Sequence, residues 1–233
     1  MTSEPGPPIL AEDLLLLLFR PSSGPDGTAV VAGAQTLPYV LAGAVLTDLS
    51  IGEHVRTVPG WSGSTRVEAV TERPPADDLL RSTWDHLAAR PRGVQATLAV
   101  IGPALRTPLV ERLVARNDLR RSTRAASGTP SVELLTDDGS GRRAGLLRGV
   151  RDVLAGVAQP ESRLAALTAL LSGSGTLPQF HPEIPWTAAA RARARHLEQG
   201  NWGADAAAEA VARSFAATMV SNVIFAAAVL RKQ

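Results

Sequence analysis

The stretch Leu37 to Gly52, LPYVLAGAVLTDLSIG, constrains the chain most. Thr36 is placed to cap a helix, Pro38 suits its first turn, and Gly52 is positioned to supply the left-handed residue that ends it. Only Thr47, Asp48 and Ser50 interrupt an apolar surface that runs around most of the helix, so it needs protein on nearly every side. At about 15 residues and about 22 Å it falls short of the ~20 apolar residues that cross a bilayer. It reads as the hub of a helical core, with Ala42-Gly43-Ala44 as a flat patch for a neighbouring helix.

A chain of 233 residues, 45% hydrophobic, is long enough to bury a sizeable core. It has no cysteine, which excludes disulfides, thiol catalysis and cysteine-based zinc sites and favours a reducing compartment. The isoelectric point of 9.9 accompanies a formal charge of only +2, because the positive charge is almost all arginine. MTSEPGPPIL lacks a basic segment followed by an apolar one, so a cytoplasmic protein is expected.

In chain order, Met1 to Pro8 reads as a flexible terminus and Ile9 to Phe19 as a short helix. Its Glu12 and Asp13 suit the first-turn dipole, and its leucine run suits the core. Arg20 to Ala29 is turn chemistry. His54–Val58 and Arg66–Val70 predict a β-hairpin with Trp61 folded over its tip. Asp77–Ala89 predicts a helix with Leu79, Leu80, Trp84 and Leu87 inward. Val94–Ile101 reads equally as helix or strand, bracketed by Pro91 and Pro103.

Thr107–Arg116 predicts a helix ended by Asn117, followed by a second hairpin carrying Arg120, Arg121 and Arg124 on its outgoing limb, a winged-helix-like outline. Gly139–Arg143 reads as a polar loop. Helices are then expected over Ala144–Leu154, Glu161–Leu171, Trp186–Gln199 and Ala204–Arg231. The uncharged piece Ala216–Leu230 reads as a closing core helix rather than a membrane span.

No catalytic constellation emerges. Glycine-rich phosphate loops and G-x-S-x-G are absent, and His54, His86, His181 and His196 lack metal-binding spacing. The pairs Asp77-Asp78 and Asp137-Asp138 lie where helix starts and turns ordinarily put carboxylates. What remains is arginine, in LRTPLVERLVARNDLRRSTR and at Arg191, Arg193 and Arg195, which reads either as a solvated face paired with acids or as a surface for anions. Anionic lipid and nucleic acid would both exploit such a surface.

The segments LAEDLLLLL, LAGAVLTDLSIGEHV, LVERLVARNDL and NWGADAAAEAV, in that order, resemble the Golgi phosphoprotein 3 family in the form its bacterial relatives take. The resemblance spans Ile9 to Leu230. It implies a mainly α fold, a single helical domain over 9–233 around a hydrophobic central helix, with one or two short β-hairpins. It also implies a hairpin used in oligomerisation after the LVERLVARNDL-like helix. Eukaryotic members are peripheral membrane adaptors that bind phosphatidylinositol 4-phosphate through a tryptophan, an arginine on the central helix and two arginines three residues apart. Those positions fall near Gly33, at Ala42, at Pro103 and at Arg106 here, so only Arg106 keeps the side chain.

The leading expectation is therefore a non-enzymatic adaptor, without cofactor or metal, that binds a phosphoinositide-like anionic headgroup through a face around Arg106. It would be cytoplasmic, peripheral on the inner face of a membrane, and a client protein is not assigned. Two alternatives stand beside it: an oligomeric scaffold using the 119–135 hairpin, and a winged-helix-like nucleic-acid binder. Aromatic residues at 4% and the acids Asp118, Glu133, Asp137 and Asp138 weigh against the last.

Overall fold

In the computed structural model the described residues are 6–20, 30–33, 36–59, 65–124, 132–137, 139–157 and 160–198. Expectations for Trp61 and for the helix 204–231, with its piece 216–230, lie outside them. Seven helices carry the described core: α1 (Leu10–Leu18), α2 (Leu37–Ile51), α3 (Asp78–Ala88), α4 (Val94–Ala115), α5 (Arg142–Ala155), α6 (Ser162–Gly173) and α7 (Ala188–Glu198). The expected mainly α class holds.

Three small antiparallel sheets decorate the helices. β1 (Phe19–Arg20) pairs with β2 (Val30–Val31). β3 (Val55–Pro59) and β4 (Thr65–Ala69) form the expected first hairpin, with Val55 opposite Ala69, and β5 (Arg92–Gly93) adds a short third strand along β4. The second expected hairpin is β6 (Leu119–Arg124) with β7 (Val132–Asp137), Leu119 opposite Asp137.

The hub is α2, buried from Val40 to Ser50 without a break. Its ends differ from expectation in two details. Thr36 occupies the N-cap position, but its hydroxyl donates back to the Gly33 carbonyl at 3.1 Å and caps nothing. Gly52 has φ −76°, and the left-handed residue is Glu53 at φ 56°. The glycine is needed for space instead, since a Cβ there would lie 2.5 Å from the His54 ring.

The undecided stretch Val94–Ile101 and the expected helix Thr107–Arg116 belong to one helix. α4 runs 22 residues through Pro103 and Pro108, so Pro103 brackets nothing. Each proline deletes the hydrogen bond to the carbonyl four residues back, at Ala99 and Ala104, and both of those residues are exposed to water. Across the two interruptions Leu98, Gly102, Leu105, Leu109 and Leu113 keep one buried stripe, and its packing holds the helix straight through. As expected, Asn117 ends it, at φ 59°.

Long-range contacts fix the helix directions. Leu10 at the start of α1 donates its backbone N–H to Asp48 near the end of α2, and Arg112 and Arg116 at the end of α4 reach Glu12 in α1. Gly102, near the middle of α4, abuts Pro38 at the start of α2. Hence α4 runs parallel to α2 and α1 runs antiparallel to both. Arg163 at the start of α6 reaches Asp13 and Asp48, and Thr176 just beyond its end lies by Gly33, so α6 also opposes α2. The starts of α1 and α6 thus meet the close of α2 and α4 at one end of the bundle.

Candidate functional site

At the end formed by the start of α1 and the close of α2, most of the arginine read as surface is consumed internally. Glu12, whose side chain is 0% exposed, takes Arg116 Nε at 2.7 Å and Arg112 Nη1 at 3.4 Å. Arg112 also grips Asp77 in two bonds of 2.5 and 3.1 Å, while Asp77 caps α3 through the N–H groups of Leu79 and Leu80. A second chain runs from Asp118 through Arg142 to Asp13 (2.6 Å), on through Arg163 (2.8 Å) to Asp48 (2.7 Å). Arg163 and Arg116 also donate to the carbonyls of Pro8 and Gly6 at 2.8 and 2.6 Å, tying down the segment that leads into α1.

These groups, Asp118, Asp13, Asp48, Glu12 and Asp77 against Arg142, Arg163, Arg112 and Arg116, leave one negative charge in excess. Asp48 stands out among these acids. Burial pushes its carboxyl up to about 6, against the pull of Arg163 and the Leu10 N–H and with a push from Asp13. Burial works against the charge of Arg112 and Arg142, yet their carboxylate partners outweigh it and hold both above the usual arginine value. A cavity of about 920 Å³ opens beside the cluster, lined by Gly6–Ile9, Pro75–Asp78, His54 and Leu80 together with Asp13, Asp48, Arg112, Arg116 and Arg163. Its guanidinium groups already hold carboxylates, so the cluster acts as an internal tie.

The residue expected to bind a headgroup lies part-way along α4, between Gly102 and Arg112. Arg106 is exposed on α4, one turn beyond Gly102 and therefore alongside the first turns of α2. Unlike Arg112, Arg116, Arg142 and Arg163, it has no ion pair or side-chain hydrogen bond among the described residues. Tyr39, 39% exposed, stands on the first turn of α2 next to Pro38, and the start of a helix adds partial positive charge.

The substituted positions are accounted for as well. Ala42 is fully buried, and Pro103 is exposed within α4. Gly33 has φ 67°, and a Cβ there would meet Thr176 at 3.1 Å, so a tryptophan would be strained at that place. The four histidines do not converge: no group able to hold a metal ion occurs among the described residues. Arg191 and Arg195 are exposed on α7, and Arg193 is half-buried.

Sequence reasoning missed the buried acids. Glu12 and Asp13 fit the helix dipole as expected, but the stronger signal was two carboxylates directly ahead of five leucines, LAEDLLLLL, on a helix with no exposed side. Asp48, alone and charged within an apolar helix, was the third.

A mainly helical protein organised on a buried central helix is the class these observations define; among the described residues no helix is long and apolar enough to cross a membrane. The chain belongs to the Golgi phosphoprotein 3 (GPP34) family, whose model matches residues 10–214, from the first residue of α1 past the end of α7. No curated protein matches it.

Proposed function

We propose that this protein is a non-enzymatic adaptor of the Golgi phosphoprotein 3 type, folded as one domain over 9–233, that docks on a membrane leaflet by the face around Arg106. The ligand class is an anionic, phosphoinositide-like headgroup. The observation that carries the reading is a contrast: Arg112 and Arg116 on α4 are neutralised by buried acids, while Arg106 on the same helix faces solvent with no acid paired to it. A cation left so beside a helix start is suited to a phosphate. With Ala42, Pro103 and Gly33 at the other family positions, one arginine gives charge attraction rather than a stereospecific cage.

Co-sedimentation with vesicles of phosphatidylcholine alone, with phosphatidylglycerol, and with phosphatidylinositol 4-phosphate tests it. Recovery should be high on both anionic sets and low on the neutral one, and Arg106→Ala should lower it. Equal recovery from all three would remove the reading.

A further inference from the structure

Three further arginines gather where α3 hands the chain to β5 and α4. Arg90-Pro91-Arg92 crosses that corner, and β4 runs beside it with Arg66 opposite Gly93 and Val67 opposite Arg92. Arg92 donates its Nε–H to the His86 carbonyl at 3.2 Å, one of the carbonyls that the end of α3 leaves without a helical partner. Arg66 reaches across with Nη2 to the Pro91 carbonyl. Both tethers end on neutral oxygens, so they fix the guanidinium groups without cancelling their charge. Arg90, exposed beside Pro91, has neither an ion pair nor a side-chain hydrogen bond among the described residues. The acids nearest along the chain are already engaged, Glu68 by Arg56 at 2.5 Å and Asp85 by Arg81 at 3.2 Å. The corner therefore carries uncompensated positive charge, the reverse of the cluster around Asp48. His86 registers it: burial first, then the charges of Arg92 and Arg90, hold its imidazole below the usual value.

We infer that Arg66, Arg90 and Arg92 form a binding site for a phosphate group, carried by a soluble phosphate ester or by a lipid headgroup, at the corner between β4 and β5. Guanidinium forks match phosphate in shape as well as in charge. The carbonyl tethers hold two of the three in place before the anion arrives, which lowers the cost of ordering them. The site is separate from Arg106, which lies twelve residues past Val94, about 18 Å further along α4. It does not depend on the reading of that residue.

The test follows the His86 imidazole of the full chain by NMR pH titration in sodium chloride, inorganic phosphate or glycerol 1-phosphate at matched ionic strength. His86 Nε2 has no hydrogen-bond partner, so its titration reports changes in the field of Arg90 and Arg92. A bound phosphate offsets their push, and the His86 pKa should rise in both phosphates and stay put in chloride. Arg66→Gln/Arg90→Gln, at two exposed positions, should raise the starting value and abolish the phosphate-dependent rise. Arg106→Ala should leave the rise intact. A shift no larger in phosphate than in chloride overturns the inference, as does a rise that the double variant keeps or that Arg106→Ala removes. Vesicles of phosphatidylcholine with phosphatidylglycerol then separate the two sources. Partition that falls in the double variant assigns the site to a headgroup, and partition that is unchanged, with the wild-type shift present, assigns it to a soluble phosphate ester.

Discussion

Gly102 packs its backbone directly onto Pro38: a Cβ at position 102 would stand 2.5 Å from the Pro38 carbonyl oxygen and 2.8 Å from its carbon. The obstacle is backbone at the start of the hub helix, which cannot rotate aside. Gly102→Ala should gain about 1 kcal/mol in helix propensity, yet forcing α4 off α2 costs about 1–3 kcal/mol or more. A lower Tm in thermal unfolding is the expected outcome; an unchanged or higher Tm would show that the two helices separate easily.

The internal tie and the surface pairs should behave differently on truncation. Arg142 holds Asp13 and Asp118, which are 9% and 4% exposed. Arg142→Ala leaves both carboxylates short of a partner, at a cost of about 3–5 kcal/mol. Arg121→Ala removes a pair with Glu111, which is 54% exposed, and should cost under about 1 kcal/mol. Urea denaturation of both variants checks the ordering, and equal losses would contradict the assignment of Arg142 to a buried tie.

Asp48 gives stability an unusual pH dependence. Its carboxyl moves from an ordinary 3.8 when unfolded to about 6 when folded, so between those values the native state holds the additional proton. The contribution of Asp48 to stability therefore grows as pH falls from above 6 towards 4 and is lost as pH rises through about 6. Asp48→Asn removes this term. The difference in Tm between wild type and variant, followed from pH 4 to 7.5, should change in that interval in favour of the wild type at the acid end. A flat difference would count against a buried Asp48 that titrates near neutrality.

Asn117 closes α4 at φ 59°, with its N–H on the Val114 carbonyl at 3.0 Å and that of Asp118 on Leu113 at 2.9 Å. Asn117→Ala should lose about 1 kcal/mol, because a Cβ without a local hydrogen-bonding group is disfavoured there. Asn117→Gly should be neutral or better. A shift of the denaturation midpoint at constant slope is the signature to look for.

Where local rules act alone, the chain was readable. The Leu37 start, the two hairpins and the Asn117 stop follow from a proline in the first helical turn, alternation and turn chemistry, although the Thr36 hydroxyl does not cap as its position suggests. The single helix 94–115 was hidden because Pro103 and Pro108 are local stop signals overridden by a stripe that packs on α2. Gly52 was read as a backbone requirement, but it answers to the His54 ring, a tertiary neighbour. The arginines carry no local mark of their role. Arg106 and Arg112 look alike in TPLVERLVAR and its lead-in, and only their distant partners, or lack of them, separate the two.

The buried acids of α1 carry a consequence for how the chain is made. Glu12 waits for Arg116, 104 positions later, and Asp13 for Arg142 and Arg163, 129 and 150 positions later. Until those segments emerge, the first helix cannot enter a core without stranding two charges in it. Synthesis from the N-terminus therefore produces α1 early and seats it late, and the slow, long-range closures become the step that commits the fold. A nascent chain shorter than α6 should keep its leucine helix unseated, exposed to whatever holds apolar segments until the last arginine arrives.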